Sequence, residues 1–342
     1  MNQHEAYMRR CFDLARLGAG YVSPNPMVGA VLVHNKRIIG EGFHRRYGGP
    51  HAEVEAVAAV RPKDRHLLPK ATLYVSLEPC CIYGRTPPCT RMILAEKIPH
   101  VVISCLDQTA EVRGQGVAEL SSAGVAVTTG VLEAEGLRLA AIRNIFTREN
   151  RPYVLLKYAR TREGIFVPSN RKQTWITGLA AKKLVHRWRT HTDAILIGRT
   201  TAAQDNPQLT SRYFPGPQPL RIVLDAHAQL PQKLHLFQDK APTLVVGPPR
   251  DLPDSVRFFQ PDWQKPWIPQ LLNELAQQSL THLTVEGGIQ VLQQFIDADL
   301  WDEARQWIGH RYLSEGLPAP VLPQAPQQVI SLANDQLLIH YR

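Results

Sequence analysis

Residues 50–95 read PHAEVEAVAAVRPKDRHLLPKATLYVSLEPCCIYGRTPPCTRMILA, and the fold of the first half follows from this stretch. HAEVEAVAAV, opening after Pro50, is rich in good helix formers and reads as a helix. ATLYVSL is an unbroken apolar and β-branched run that reads as a buried strand. TRMILAEKI is helical again, so helix, strand and helix follow one another closely.

The same alternation extends outward on both sides. Residues 4 to 17 carry Ala6, Tyr7, Cys11, Leu14 and Leu17 at helical spacing, and Gly18 and Gly20 stop the run. VGAVLVHNKRIIGEGFH reads as a hairpin turning at Asn35-Lys36. Downstream, VVISCL is a strand, VAELSSAG a helix and VAVTTG a strand. An opening hairpin followed by alternating helices and strands predicts a layered α/β sheet domain. A basic stretch with Arg143, Arg148 and Arg151 ends at Pro152, and the pattern then restarts. YVLLKYA, DAILIG, PLRIVLD, PTLVVG and LTVEGG read as strands. LAAKKLVHRWR and IQVLQQFIDADL read as helices. A chain of 342 residues suits two domains, and we expect them over residues 1–147 and 148–342.

Composition narrows the function. Hydrophobic residues make up 44% and charged residues 20%, which excludes wholesale disorder. The net charge of +9 is spread thinly, without a run that would read as a nucleic-acid arm, and fits an anionic partner such as a phosphorylated metabolite. No stretch approaches the roughly 18 apolar residues of a membrane span, and the first twenty residues make a poor signal peptide. Five cysteines are too few, and odd in number, for a disulfide framework. A cytoplasmic setting is expected.

The sharpest chemical signal is His51-Ala52-Glu53, then Glu78-Pro79-Cys80, then Cys89. A zinc deaminase needs three protein ligands, an open position for water, and a nearby glutamate that moves protons without binding metal. His51 and Glu53 fall in the first turn of a predicted helix. Cys80 is expected to end a strand and Cys89 to open a helix, whose dipole favours thiolate. The usual spacing is Pro-Cys-x-x-Cys, whereas Cys80 and Cys89 stand nine positions apart across CIYGRTPP. The bland alternative makes His51 a helix cap and the cysteines small core residues. Cys81 is a second candidate for the place of Cys80. Cys11 and Cys105 read as core residues.

The combination SPNPMVGAVLV, GEGFH, PHAEVEA, LEPCCIYGRTPPC and the restart at YVLLKYA resembles the bifunctional deaminase–reductases of riboflavin biosynthesis, over essentially the whole chain. The resemblance implies a cytidine-deaminase-like three-layer domain followed by a dihydrofolate-reductase-like domain. It makes the long cysteine spacing a family feature. It implies zinc on His51, Cys80 and Cys89, with Glu53 as the proton carrier. The first step would be hydrolytic removal of an amino group from 2,5-diamino-6-(5-phosphoribosylamino)pyrimidin-4-one. Asn25, His44, Arg85 and Asp107 match substrate contacts. Two departures stand out: Cys81-Ile82-Tyr83 replaces a stretch such as Ser-His-His, and Asp107-Gln108-Thr109-Ala110 replaces Asp-Pro-Asn-Pro, so Thr109 takes the place of an asparagine contact.

No GxGxxG stands in the second half, so a Rossmann dinucleotide site is not supported. Val285-Glu286-Gly287-Gly288 ends a strand and leads into a helix, where backbone N–H groups can approach a phosphate. The resemblance implies NADPH there, reducing the ribosyl group to ribityl at C1′. Ala159, Trp175, Thr201, Asp205, Gly287 and Gly288 match cofactor contacts. Lys157, Gln173, Arg189, Leu209, Arg212 and Glu286 match substrate contacts, with Arg189 and Arg212 on the phosphate. Thr161-Arg162-Glu163-Gly164 replaces Ser-x-Asp-Gly, Gln173 stands in the place of a serine, and Gly309-His310-Arg311-Tyr312-Leu313 replaces Pro-Lys-Leu-Leu-Gly. The resemblance also implies a homo-oligomer, a dimer, with no nucleic-acid or membrane partner. Two other readings remain open at this point: a tRNA or nucleobase deaminase, and a deaminase whose reductase half has lost its chemistry.

Overall fold

The computed structural model describes residues 3–169 and 174–342. Contacts divide the chain into two compact units, Met1–Asn150 and Arg151–Arg342.

The first unit runs α1 (Gln3–Ala15), β1 (Gly29–His34), β2 (Arg37–Phe43), α2 (Ala52–Ala58), β3 (Thr72–Leu77), α3 (Cys89–Ala95), β4 (His100–Cys105), α4 (Gln115–Ser122), β5 (Ala126–Thr128), α5 (Glu133–Leu139) and α6 (Ala141–Glu149). Its sheet has the order β2-β1-β3-β4-β5. β1 lies antiparallel to β2 and β3, and β3, β4 and β5 are parallel. The hairpin turns at Asn35 and Lys36, both with positive φ (47° and 63°), as a two-residue hairpin loop requires. Successive strand residues face opposite ways. Ala30, Leu32, Leu73 and Val75 pack with Ala52, Ala56, Ile93 and Leu120. Val31, Val33, Tyr74 and Val102 pack with Met8, Cys11 and Phe12 of α1. Helices on both faces of one sheet make three layers.

Close approach places α2. A Cβ on Gly40 or Gly42 would sit 2.3 Å from backbone atoms of Ala56 in α2. The two glycines of GEGF thus let the helix lie directly on β2.

Three expectations need correction. The first helix ends at Ala15, and Arg16–Gly18 form a tighter 3₁₀ turn. β3 stops at Leu77, so Cys80 lies in the following loop rather than at a strand end. The basic stretch before Pro152 is helical, because α5 and α6 occupy most of residues 133–149.

The second unit runs β6 (Tyr153–Arg160), β7 (Ile165–Pro168), α7 (Leu179–Arg189), β8 (Ala194–Gly198), α8 (Arg199–Asp205), β9 (Leu220–Leu224), α9 (His235–Gln238), β10 (Thr243–Val246), β11 (Val256–Phe259), α10 (Trp267–Gln277), β12 (His282–Val285), α11 (Ile289–Asp297), β13 (Glu303–Ile308), β14 (Gly316–Pro318), β15 (Gln328–Leu332) and β16 (Asp335–Tyr341). Its main sheet has the order β11-β10-β9-β8-β12-β6-β13-β16-β15. The strands from β11 to β13 in that order are parallel, and the last two pairings are antiparallel. One face packs Leu196, Ile222, Val285 and Leu156 on α10 and α11. On the other, Ile195, Ile197 and Val223 meet Ala202, Leu236 and Phe237. The connections leave β8 in one direction toward β9, while β12 lies on its other side. Such a switch in strand order opens a crevice at the carboxyl ends of the strands.

Candidate metal centre and reductase cleft

α2 begins after Pro50 with His51 as its N-cap residue, in extended backbone and with no side-chain cap bond. The ring is therefore not spent on capping, as the bland alternative required. Its Nδ1 lies 3.4 Å from Cys80 Sγ and 3.3 Å from Cys89 Sγ. Cys89, the first residue of α3, donates its backbone N–H to Cys80 Sγ at 3.4 Å. All three potential ligand atoms lie within 4.8 Å of one another. Tetrahedral zinc with ordinary Zn–N and Zn–S bonds places such N and S atoms about 3.6 Å apart, so the donor set fits zinc in both chemistry and spacing. Cys81 is not part of the cluster.

On the far side of the ring, His51 Nε2 bonds Thr86 Oγ1 at 3.2 Å. That partner leaves Nδ1 facing the thiols, the orienting role a second hydrogen bond plays for metal-binding histidines. Cys80 is pushed down to about 4, first by its hydrogen bond with Cys89 and further by His51. Cys89 is pushed up, first by that same bond and by burial. The pair thus gives up one proton readily and resists losing the second until a cation offsets the charge.

Glu53 sits in the first turn of α2 and is 3% exposed. Burial, and then the neighbouring Cys80 charge, push its carboxyl up to about 7, the range suited to a group that both takes and returns protons.

The other expected deaminase residues are placed as follows. His44 is buried, with Nδ1 2.8 Å from the Pro50 carbonyl oxygen and Nε2 3.1 Å from Asn25 Nδ2. Its ring meets His51 edge-on at 5.5 Å between centroids. His44, Asn25 and His51 are therefore one connected group, and burial pushes the His44 ring toward its neutral form. Arg85 is exposed and lies 4.6 Å over the Tyr47 ring. Asp107 Oδ1 accepts the Thr109 backbone N–H at 2.7 Å, closing a local turn.

Glu78 is a residue the motif contained but whose task the sequence did not reveal. It is buried, and its carboxylate accepts backbone N–H groups from Asp107 (3.2 Å), Gly114 (3.0 Å) and Val117 (3.2 Å). It caps α4 from another segment and ties the 107–117 loop to the Cys80 loop. Thr86 was likewise unmarked. Neither role has a periodicity or spacing signature, because both depend on partners remote in sequence.

In the second unit a cleft of ≈ 590 Å³ lies at the carboxyl ends of β6, β8, β9 and β12. Among the expected residues, Lys157, Ala159, Trp175, Arg189, Thr201, Asp205, Leu209, Glu286 and Gly288 line it. Gly287 and Arg212 are not on its wall, and Gln173 lies outside the described residues. Arg189 grips Glu286 with two bonds (3.0 and 2.8 Å), and its Nη1 donates to the Thr210 carbonyl at 3.2 Å. Lys157 Nζ stands 4.0 Å from the same carboxylate. Burial opposes the charged form of Glu286, but Arg189 and Lys157 outweigh it and hold the carboxyl down at about 2. Burial also draws Lys157 below its ordinary value. Asp205 closes α8 and is pushed up by burial. Leu209 is buried with φ 55°, a left-handed conformation that is strained for a leucine. Trp175 is 54% exposed, so it is no core aromatic, and Lys182 Nζ lies 4.0 Å over its ring. Arg212 is exposed and donates to Gln208 Oε1 at 2.5 Å.

The glycine pair is built for close approach. A Cβ on Gly287 would lie 2.7 Å from Ile197 Cβ, and Gly288 has φ +60° with Thr201 Oγ1 3.2 Å from where its Cβ would be. Gly288 caps α11, whose first residues line the cleft. A bare backbone at a helix N-terminus fits a dinucleotide pyrophosphate.

Comparison with known proteins gives a family for each half of the chain. The model of the cytidine and deoxycytidylate deaminase zinc-binding region matches residues 1–105, and that of the RibD C-terminal domain matches residues 152–315. The riboflavin biosynthesis protein RibD of Aquifex aeolicus is 35% identical over 318 residues, covering 91% of this chain and 88% of its own. That of Actinobacillus pleuropneumoniae is 37% identical over 293 residues, covering 82% and 77%. Among solved structures, the Thermotoga maritima diaminohydroxyphosphoribosylaminopyrimidine deaminase/5-amino-6-(5-phosphoribosylamino)uracil reductase superposes with a TM-score of 0.88 at 34% identity, covering 98% of each chain. Acinetobacter baumannii RibD gives 0.85 at 30% identity, again over 98% of each. Among the described residues, no helix is long and apolar enough to cross a membrane.

Proposed function

Because this chain belongs to the RibD family, the bifunctional zinc deaminases and NADPH-using reductases of riboflavin biosynthesis, we propose which of its residues carry the two steps and on what substrate. The first substrate is 2,5-diamino-6-(5-phosphoribosylamino)pyrimidin-4-one, and the second is its deaminated product, 5-amino-6-(5-phosphoribosylamino)uracil. Residues 1–147 serve the first step and residues 148–342 the second, a division supported by the break between compact units after Asn150.

His51, Cys80 and Cys89 hold the zinc, which when bound supplies an acidified water as nucleophile. Glu53 would take one proton of the water as it adds to the amino-bearing ring carbon, give it to the ring nitrogen, and then carry the remaining proton of the added hydroxyl to the departing amine as C=O forms. Water is consumed, a C–N bond is exchanged for C=O, and ammonia leaves. Asn25 and the neutral His44 contact the pyrimidine beside the zinc. Arg85 and Asp107 address its phosphoribosyl side.

In the cleft, NADPH when bound would be the hydride source for reduction at C1′ of the ribosyl group. Gly288, at the start of α11, receives its pyrophosphate, with Gly287 packed behind it on Ile197 to set the cradle, while Ala159, Trp175, Thr201 and Asp205 line the remainder of its path. Opening of the sugar ring needs a proton on the departing oxygen, and Lys157 is the cation on the cleft wall able to hold one. Glu286, kept ionised by Arg189, accepts hydrogen bonds from the sugar hydroxyls, and Leu209 and Gln173 complete the contact. Arg212 meets the substrate phosphate through its free donors. Arg189 joins it when Nη1 exchanges the Thr210 carbonyl for a phosphate oxygen. The protein works in the cytoplasm as a homodimer, which sedimentation analysis tests.

The observation that carries this reading is the buried Glu53 set against the His51, Cys80 and Cys89 cluster. Glu53→Gln should lower ammonia release about 10²–10⁴-fold while one zinc per chain is retained. Ammonia release at the unaltered rate would show that another group moves the proton.

A further inference from the structure

Among the described residues lining the cleft, three are lysine or arginine: Lys157, Arg189 and Arg199. The first two share the single carboxylate of Glu286, which offsets one of their two charges and holds both in place. Arg199 differs. It is the first residue of α8, directly after β8, and is exposed. Its Nη1 donates to Gln229 Oε1 at 2.6 Å. That partner is a neutral amide, so the charge of Arg199 stays available to a ligand.

Its position says which part of a ligand it meets. The cleft spans the ends of β6, β12, β8 and β9. Ala159 and Trp175 lie at the β6 side and the glycine cradle follows β12. A dinucleotide with its nicotinamide at the first and its pyrophosphate at the second extends its adenosine toward β8 and β9. Arg199, Thr200, Ala226 and His227 line that end.

In dinucleotide-binding α/β folds the side chain beside the adenosine ribose sets cofactor choice. A carboxylate accepts from the free 2′-hydroxyl of NADH, whereas an arginine accommodates the 2′-phosphate of NADPH. The carboxylate at the end of β9, directly before the lining residues Ala226 and His227, is Asp225. It is fully buried and occupied. Its oxygens accept the backbone N–H groups of Gln229 (2.9 Å) and Leu230 (3.1 Å), and Arg250 lies 3.3 Å away. Asp225 therefore builds the turn instead of reading a ribose. The same turn presents Gln229, whose amide steers the Arg199 guanidinium.

We propose that Arg199 selects NADPH over NADH by pairing its guanidinium with the adenosine 2′-phosphate, with Gln229 as its positioning residue. The assignment rests on the reductase reading above.

Calorimetric titration of the full chain with NADP⁺ and, separately, NAD⁺ tests it without turnover. The wild-type protein should bind NADP⁺ more tightly. Arg199→Ala should weaken NADP⁺ about 10- to 100-fold, the range of a charged hydrogen-bonded contact, and leave NAD⁺ unchanged. Arg199→Lys should restore part of the preference, and Gln229→Ala should reduce it by a smaller factor. Unchanged NADP⁺ affinity in both Arg199 variants would overturn the assignment. So would equal losses for the two dinucleotides, which would place Arg199 on the pyrophosphate. A wild-type chain that bound neither dinucleotide would overturn the reductase reading itself.

Discussion

Glu53 and Glu286 are both buried carboxylates, and their surroundings drive them in opposite directions. Glu53 faces thiols and is pushed up to about 7, first by burial. Glu286 is also opposed by burial, yet Arg189 and Lys157 hold it at about 2. The first arrangement suits proton traffic, the second a fixed charge. For Glu286 the consequence for stability has a definite sign. Its folded pKa lies below the ordinary carboxylate value of about 4.3, so the unfolded chain takes up the proton first as pH falls. Its stabilising contribution is complete above about pH 5 and is lost toward about pH 2. Removing the carboxylate leaves two half-buried cations without their counter-charge, so Glu286→Ala should cost about 3 kcal/mol near neutrality. Denaturant titrations of wild type and variant should show that gap closing as pH is lowered. A gap independent of pH would mean that the carboxylate is not what holds the cluster together.

At the scale of elements, close backbone approach does much of the positioning. Gly40 and Gly42 let α2 lie on β2 and so aim His51 and Glu53 at the cysteine loop. Gly287 lets β12 lie against β8 at the mouth of the cleft. Gly287→Ala forces a Cβ into Ile197 at 2.7 Å and should cost about 1–3 kcal/mol through overpacking. It should also raise the KM for NADPH, because the cradle must shift; unaltered stability and KM would contradict that placement. These elements were partly legible. The apolar runs of β3, β4, β8 and β12 and the hairpin at Asn35-Lys36 follow from local pattern. The short helices α5 and α6 did not, since charged residues and a basic count masked their helical spacing. The end of β3 was also missed, because Pro79-Cys80 continues the motif but not the ladder. Glu78 and Thr86 act on segments distant in sequence, so only the folded chain displays their partners.

For the whole molecule, the two main sheets differ in the chemistry gathered at the ends of their inner strands. The first unit gathers His51, Cys80, Cys89 and Glu53, residues whose order and type could be read from the sequence. The second unit's cleft was legible mainly through resemblance, since Gly287-Gly288 alone is a common turn. Its Arg189–Glu286 pair, Arg199 and the occupied Asp225 needed coordinates. Under the proposed function, part of the thinly spread charge of +9 serves phosphorylated small molecules, through Arg199 on the cleft and Arg85 beside Tyr47. The most direct measurement is incubation of the purified chain with the phosphoribosyl diaminopyrimidine, with and without NADPH, following ammonia and NADPH together. The account predicts ammonia in both reactions, NADPH oxidation only after deamination, and loss of ammonia on zinc chelation while NADPH oxidation with the deaminated intermediate persists. Ammonia from an RNA substrate but not from this pyrimidine, or no NADPH oxidation with the deaminated intermediate, would contradict it.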